Sequence, residues 1–182
     1  RVNKGTHKAL HRFRSFAYKV SKNNTKACWV LKCDIRKFFA NIHQATLVKV
    51  LGKYIEDKNT VWLLKKVIES FSMGKVGVGL PLGNLTSQLF VNVYMNEFDQ
   101  FVKHKLQAKY YIRYADDFVF FSKNKEWLKK KINPVQKFLK ENLFLELHPD
   151  KVYIKSLASG IDFLGWVHFP DHRTLRTTTK RR

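Results

Sequence analysis

"YYIRYADDFVFF", residues 110–121, sets two adjacent acids, Asp116 and Asp117, inside an apolar and aromatic run. The flanking residues read as two strands, 110–114 and 117–122, that meet at Ala115-Asp116. A carboxylate among apolar neighbours is costly to bury unless something positive compensates it, and two neighbours also repel. A tight hairpin accounts for part of the pattern, because Asp tolerates turn geometry. Two-residue turns favour Asn-Gly or Asp-Gly, however, and no glycine stands here. Two readings remain: an acidic turn neutralised by a nearby Lys or Arg, or a carboxylate site that holds cations.

A third acid bears on the choice. Asp34 ends the apolar strand "CWVLKCD" and is followed by "IRKFFANI", with no charge partner read within the strand. Three carboxylates at strand ends suit two hard divalent ions. Mg²⁺ takes oxygen ligands, keeps some waters and completes its shell from substrate phosphates. Two such ions about 3.5–4 Å apart activate an attacking oxygen and stabilise a leaving one. Spacing alone therefore points to nucleotidyl transfer or nuclease chemistry.

Composition agrees with a polyanion as partner. The chain has 182 residues, 35 Lys+Arg against 14 Asp+Glu, and a formal charge of +21, which attracts nucleic acid at long range. The basic residues spread from Arg1 to Arg182 rather than along one amphipathic helix, so a membrane-surface role is disfavoured. No apolar stretch reaches the roughly 20 residues that span a bilayer. At 45% hydrophobic, with 15 Phe, the chain supports one ordinary core. Cys28 and Cys33 lack metal-type spacing and read as packing residues in a reducing compartment.

Periodicity predicts a helix over 6–20 with Thr6 as N-cap, ended at Asn23-Asn24, and a buried strand over 28–35. Helices follow over 43–51 and 59–71, then a glycine-rich loop over 73–83 and a long helix over 85–106. After the acidic hairpin comes a helix over 124–142, interrupted or kinked at Pro134. Short strands are predicted at 143–148, 151–156 and 161–169. The fold class is α+β, one unit, with a small antiparallel sheet flanked by helices.

At this point the sequence resembles a known family. "RYADDFVFFS" resembles the YxDD hairpin of reverse transcriptases, and "LKCDIRKFFANI" resembles their other aspartate motif. "GLPLGNLTSQLFVNVYMNEFD" (79–99) is similar to the segment beside the incoming nucleotide and template. "LELHPDKVYI" (145–154) is similar to the lysine-bearing motif, and "GIDFLGWVHF" (160–169) to the primer grip.

The resemblance implies a polymerase palm with partial fingers: fingers-like helices over about 1–27 and 41–78, palm over about 28–40 and 79–169. Residues 170–182 would begin the connection to a thumb. Thumb and first fingers hairpin are expected to lie outside a chain that opens on Arg1. It also implies RNA-directed DNA polymerase activity with two Mg²⁺ ions, for which Mn²⁺ can substitute, held by Asp34, Asp116, Asp117 and the Ile35 carbonyl. Lys151 is placed at the pyrophosphate as a general acid. Lys37, Phe38, Phe39, Leu82, Gly83 and Gln88 are placed at the nucleotide, with Phe39 excluding a 2′-OH. Phe163, Leu164, Gly165 and Tyr114 are placed at primer and template.

Within the family, "LGNLTSQ" puts Leu82 where many members have Gln and Gln88 where they have Pro. That form resembles the enzymes of diversity-generating retroelements, which copy a template RNA with frequent errors opposite adenine. A group II intron-type or phage-defence enzyme is the alternative, and an inactive RNA-binding module on the same fold is a third reading. Implied partners are template RNA, a DNA primer or cDNA, dNTPs and a small basic oligomeric accessory protein. No membrane partner is implied, and the expected location is cytoplasmic and nucleoid-associated.

Overall fold

The computed structural model describes residues 5–71 and 75–180; readings that fall on 1–4, 72–74 and 181–182 lie outside the described residues. In chain order come α1 (Thr6–Val20), β1 (Trp29–Asp34), α2 (Gln44–Gly52), α3 (Lys58–Glu69), α4 (Leu85–Tyr94) and α5 (Asn96–Gln100). Then follow β2 (Tyr111–Tyr114), β3 (Asp117–Ser122), α6 (Lys125–Leu143) and β4 (Tyr153–Ser156). A terminal set, β5 (Ile161–Phe163), β6 (Trp166–His168), β7 (Arg173–Leu175) and α7 (Thr177–Lys180), completes the order.

The elements form two units. The first gathers residues up to Asp34, Ala108–Asn133 and those from His148 on. Its main sheet is antiparallel, in the order β2-β3-β1-β4. Alternation along β1 sends Val30, Lys32 and Asp34 to one face, and Leu31 and Cys33 to the other. On the first face α1 lays its stripe of Leu10, Phe13, Ala17 and Val20 against Val30, Ile112, Val119 and Phe121. Phe13 meets Phe121 edge-on, with ring centroids 4.8 Å apart. Apolar packing thus ends along the sheet where Lys32, Asp34 and Asp117 begin. The second sheet, β5-β6-β7, adds Ile161 and Phe163 to the same core.

The second unit holds residues 35–107 and 134–147. His43 and Asp57 cap α2 and α3 by accepting from Thr46 N–H and Thr60 N–H. The buried Gln44 side chain donates to the carbonyls of Phe71 and Gly79, at 2.8 and 3.0 Å, which ties the glycine loop to α2. Tyr94, fully buried, donates to the Leu143 carbonyl at 2.6 Å.

Several predicted elements need correction. The N-cap of α1 is Gly5, while Thr6 starts the helix and bonds the Tyr114 hydroxyl at 3.0 Å. The helix over 85–106 divides at Met95 and ends in a π-helical turn, Phe101–Lys105. Around Pro134 α6 runs without interruption. No strand occupies 143–148: α6 reaches Leu143, and Phe144 turns left-handed at φ 52° so that Leu145 N–H meets the Leu139 carbonyl. Residues 161–169 are a hairpin rather than one strand, folded at Leu164-Gly165.

Candidate active site

β1 and β3 pair with Asp34 directly opposite Asp117, and the two-residue turn from Tyr114 to Asp117 carries Asp116. Ala115, first in the turn, sits at φ 53°, a place where glycine is ordinary and alanine is strained. Its carbonyl accepts from Arg113 Nη1 at 3.1 Å, which helps to fix the turn. The acids of the sequence motif therefore share one end of one sheet.

Lysines meet them there. Lys32 Nζ lies 3.0 Å from Asp117 Oδ2, and Lys151 Nζ lies 3.3 Å from Asp34 Oδ1. Lys32 is only 8% exposed, whereas the Lys151 side chain is 53% exposed and so held by a weaker, screened pair. Asp34 takes its charge partner, Lys151, from outside its own strand, as the sequence implies, while Lys32, two residues earlier on the same face, pairs across to Asp117. Among the described residues, no group of three or more His, Cys, Asp or Glu stands close enough to hold a metal ion. In this arrangement lysines engage two of the three carboxylates.

The donor set still fits divalent cations. Asp117 Oδ1 is buried and has no hydrogen-bond partner, an unmet acceptor of the kind a cation satisfies. Burial pushes the Asp117 carboxyl up to about 6, against the pull of Lys32, and Asp34 and Asp116 push it further the same way. Asp116 is raised as well, first by burial and then by Asp34. The three acids feel one another, and added positive charge would relieve that repulsion.

The residues assigned to primer and template also lie in this unit. Tyr114 pairs with Asp117 and is partly exposed. Leu164 and Gly165 form a two-residue turn, with φ 53° and 81°, between buried Phe163 and half-buried Trp166. Both turn residues are left-handed, as a type I′ hairpin requires.

The remaining candidates belong to the second unit. Ile35 is buried and bridges to Leu147, with Arg36 N–H donating to the Glu146 carbonyl. Lys37 is exposed at φ 44°, while Phe38 beside it is right-handed and buried. Phe39 is half-buried, and its ring meets Phe38 edge-on at 5.5 Å. The Phe39 carbonyl accepts from Leu80 N–H at 2.9 Å, which brings the glycine loop to the "RKFF" turn. Leu82 is 73% exposed, Gly83 has φ 91°, and Gln88 lies exposed on α4. Lys37–Phe39 and Leu82–Gly83 are therefore two neighbouring pieces of one unit.

A family model described as reverse transcriptase (RNA-dependent DNA polymerase) matches residues 2–168. The chain belongs to the reverse transcriptase family. Among curated members it is 27% identical to Protein YkfC of Escherichia coli K12, over 86% of this chain and 49% of that protein. It is 24% identical to the group II intron-encoded protein LtrA of Lactococcus lactis, over 86% of this chain and 37% of LtrA. The chain thus spans half or less of the length of these relatives. In fold it is similar to telomerase of Candida tropicalis, with a TM-score of 0.73 at 14% identity, covering 96% of this chain and 37% of that one. A complex of that telomerase with a fragment of telomeric RNA also gives 0.73, covering 34% of that chain.

The neighbour of the acids that the sequence motifs do not point to is Lys32. Its signal was present: in "WVLKCD" it is the one charge inside a buried strand, at the period that places it beside Asp34.

Proposed function

We propose that this chain is the catalytic core of an RNA-directed DNA polymerase, with Asp34, Asp116 and Asp117 as the carboxylates that hold two Mg²⁺ ions. The observation that carries the reading is the Asp34–Asp117 pairing beside the Asp116 turn, with one buried carboxylate oxygen left unpartnered. Bound there, divalent ions would supply Lewis-acid stabilisation of the attacking and leaving oxygens. Mn²⁺, which takes the same oxygen ligands, should substitute.

The chain's own groups have the remaining work. Lys151, exposed and loosely paired with Asp34, can release it and protonate the departing pyrophosphate. Lys37 and Phe38, left-handed then right-handed, turn successive amides in the manner of an anion-binding nest for a dNTP triphosphate. Phe39 would exclude a ribose 2′-OH by bulk. The Phe163–Gly165 turn and Tyr114 would support the primer terminus on template RNA. We assign 28–40 and 79–169 to the palm and the helices over 1–27 and 41–78 to the fingers.

Within the family, the exposed Leu82 ahead of Gly83, with Gln88 on α4, supports an error-prone enzyme of a diversity-generating retroelement. An aliphatic side chain there offers no hydrogen bond to the sugar or the templating pair, so correct and distorted pairs differ less in binding. A small basic accessory protein would belong to the same assembly. The similarity to LtrA favours a second reading, an intron-type enzyme. Error spectra separate them: Leu82→Gln should lower misincorporation opposite adenine in the first case, and equal spectra would remove Leu82 from the explanation.

The test of the polymerase reading is extension of oligo(dT) on poly(rA) with Mg²⁺ by the intact protein and by Asp116→Asn. The substitution should lower the rate by at least about 10²-fold. A parent protein that binds RNA and extends nothing would leave an inactive binding module.

A further inference from the structure

Lys32 lies mid-strand in β1, where the polymerase reading gives it no role. Its Nζ donates to Asp117 Oδ2 at 3.0 Å and to the Asp162 carbonyl at 2.8 Å. Val119 on β3 and Tyr153 on β4 stand opposite it in the register, so its stem is walled on both sides. A buried ammonium persists only where its donors are met, and two of the three N–H groups of Lys32 are met here.

The two acceptors come from different sheets. Asp117 opens β3 of the four-stranded sheet, and Asp162 is the middle residue of β5 in the three-stranded one. The linkage continues, since Asp162 Oδ2 accepts from Arg176 Nη1 at 2.9 Å. One residue beyond Asp162 the chain enters Phe163 and the Leu164-Gly165 turn. A single side chain therefore joins a motif acid to the hairpin that carries the primer-side residues. It also occupies one oxygen of Asp117 and leaves the other, Oδ1, buried and unpartnered.

We propose that Lys32 is a positioning residue that holds Asp117 by one oxygen, presents the other to a cation, and sets the β5–β6 hairpin at a fixed reach from the acids. The inference rests on the polymerase reading above. A buried ion pair with no such role would affect folding alone. Lys32 differs in two ways. Its geometry fixes where a nucleotidyl acceptor would meet the acids, and its charge stands beside a cation site that it must disfavour. Removing it should slow the reaction and tighten cation binding, two effects that a simple loss of stability does not produce together.

Lys32→Met keeps an unbranched stem and removes charge and donors. Single-turnover primer extension should fall by about 10²-fold, the scale of a misplacement near 1 Å. Mn²⁺ affinity, read by calorimetry without nucleic acid and with Asp34→Asn as blank, should rise about tenfold as the neighbouring like charge goes. A rate within about twofold of the parent, or an Mn²⁺ affinity unchanged or lower, would overturn the proposal. Should Lys32→Met not fold, Lys32→Arg keeps the charge but not the point geometry. It should leave Mn²⁺ affinity near the parent's and still slow extension at least about tenfold, and a parental rate would overturn the proposal. A parent that extends no primer defeats the polymerase reading instead, and the Mn²⁺ arm then decides this inference alone.

Discussion

Two buried titratable groups in the first unit pull the pH dependence of stability in opposite directions. Asp117 is raised to about 6 by burial, so the folded state binds a proton more readily than the unfolded state does. Its contribution is present at low pH and is lost as pH rises from about 4 to about 6. His168, stacked on Phe13 with ring centroids 4.2 Å apart, is pushed down to about 4, again chiefly by burial. Its contribution has the other sign: present above about 6.5, it is lost as pH falls toward 4. In urea unfolding of metal-free protein these two contributions should therefore oppose one another between pH 4 and 6.5. Asp117→Asn should expose a rise in stability with pH, and His168→Phe a fall, each on the order of 2 kcal/mol. The same slope in both variants would contradict this assignment. At this scale the sequence disclosed the acids but not their partners. Asp34, Asp116 and Asp117 stand out as scarce charges in apolar strands, whereas the Lys32–Asp117 pair depends on which strands lie side by side.

The elements that carry the site are held by a few backbone positions without much latitude. Gly160, at φ 78°, precedes β5, and a Cβ there would lie 2.9 Å from the Phe169 ring and from Val167 Cγ1. Gly160→Ala should destabilise the protein by about 2 kcal/mol or more, by clash and by left-handed strain together. Denaturant unfolding measures this; a loss under about 0.5 kcal/mol would show that the β5–β6 hairpin shifts freely. Legibility was uneven among the elements. β2 and β3 are the strands that the acidic run announced, and α1, α2, α3 and α6 fell within two residues of their predicted bounds, because each has a clean apolar period. The hairpin over 161–168 was missed because its turn uses Leu164 in place of the Asn or Asp that marks such turns, inside an unbroken apolar run. The strand expected over 143–148 failed for a related reason: "LFLELH" alternates like a strand, but the helix before it and left-handed Phe144 use its first residues as a cap.

For the whole molecule, charge and family membership bear on the same partner. A formal charge of +21 should make nucleic-acid binding steeply salt-dependent. If about 6–10 phosphates of a duplex are neutralised, affinity should fall roughly 10³–10⁵-fold between 50 and 200 mM salt, and a flat response in fluorescence anisotropy would contradict the charge argument. The family match was legible through five ordered motifs, and the model match over residues 2–168 agrees with them. The subtype was not legible to the same degree, since it hangs on Leu82 and Gln88 rather than on the acids. The most direct measurement concerns the acids themselves: anomalous scattering from crystals of the protein soaked in Mn²⁺. Mn²⁺ should appear bounded by Asp34, Asp116 and Oδ1 of Asp117, with Lys151 displaced from Asp34. Mn²⁺ found only elsewhere, with Lys151 still on Asp34 at saturating ion, would contradict that assignment.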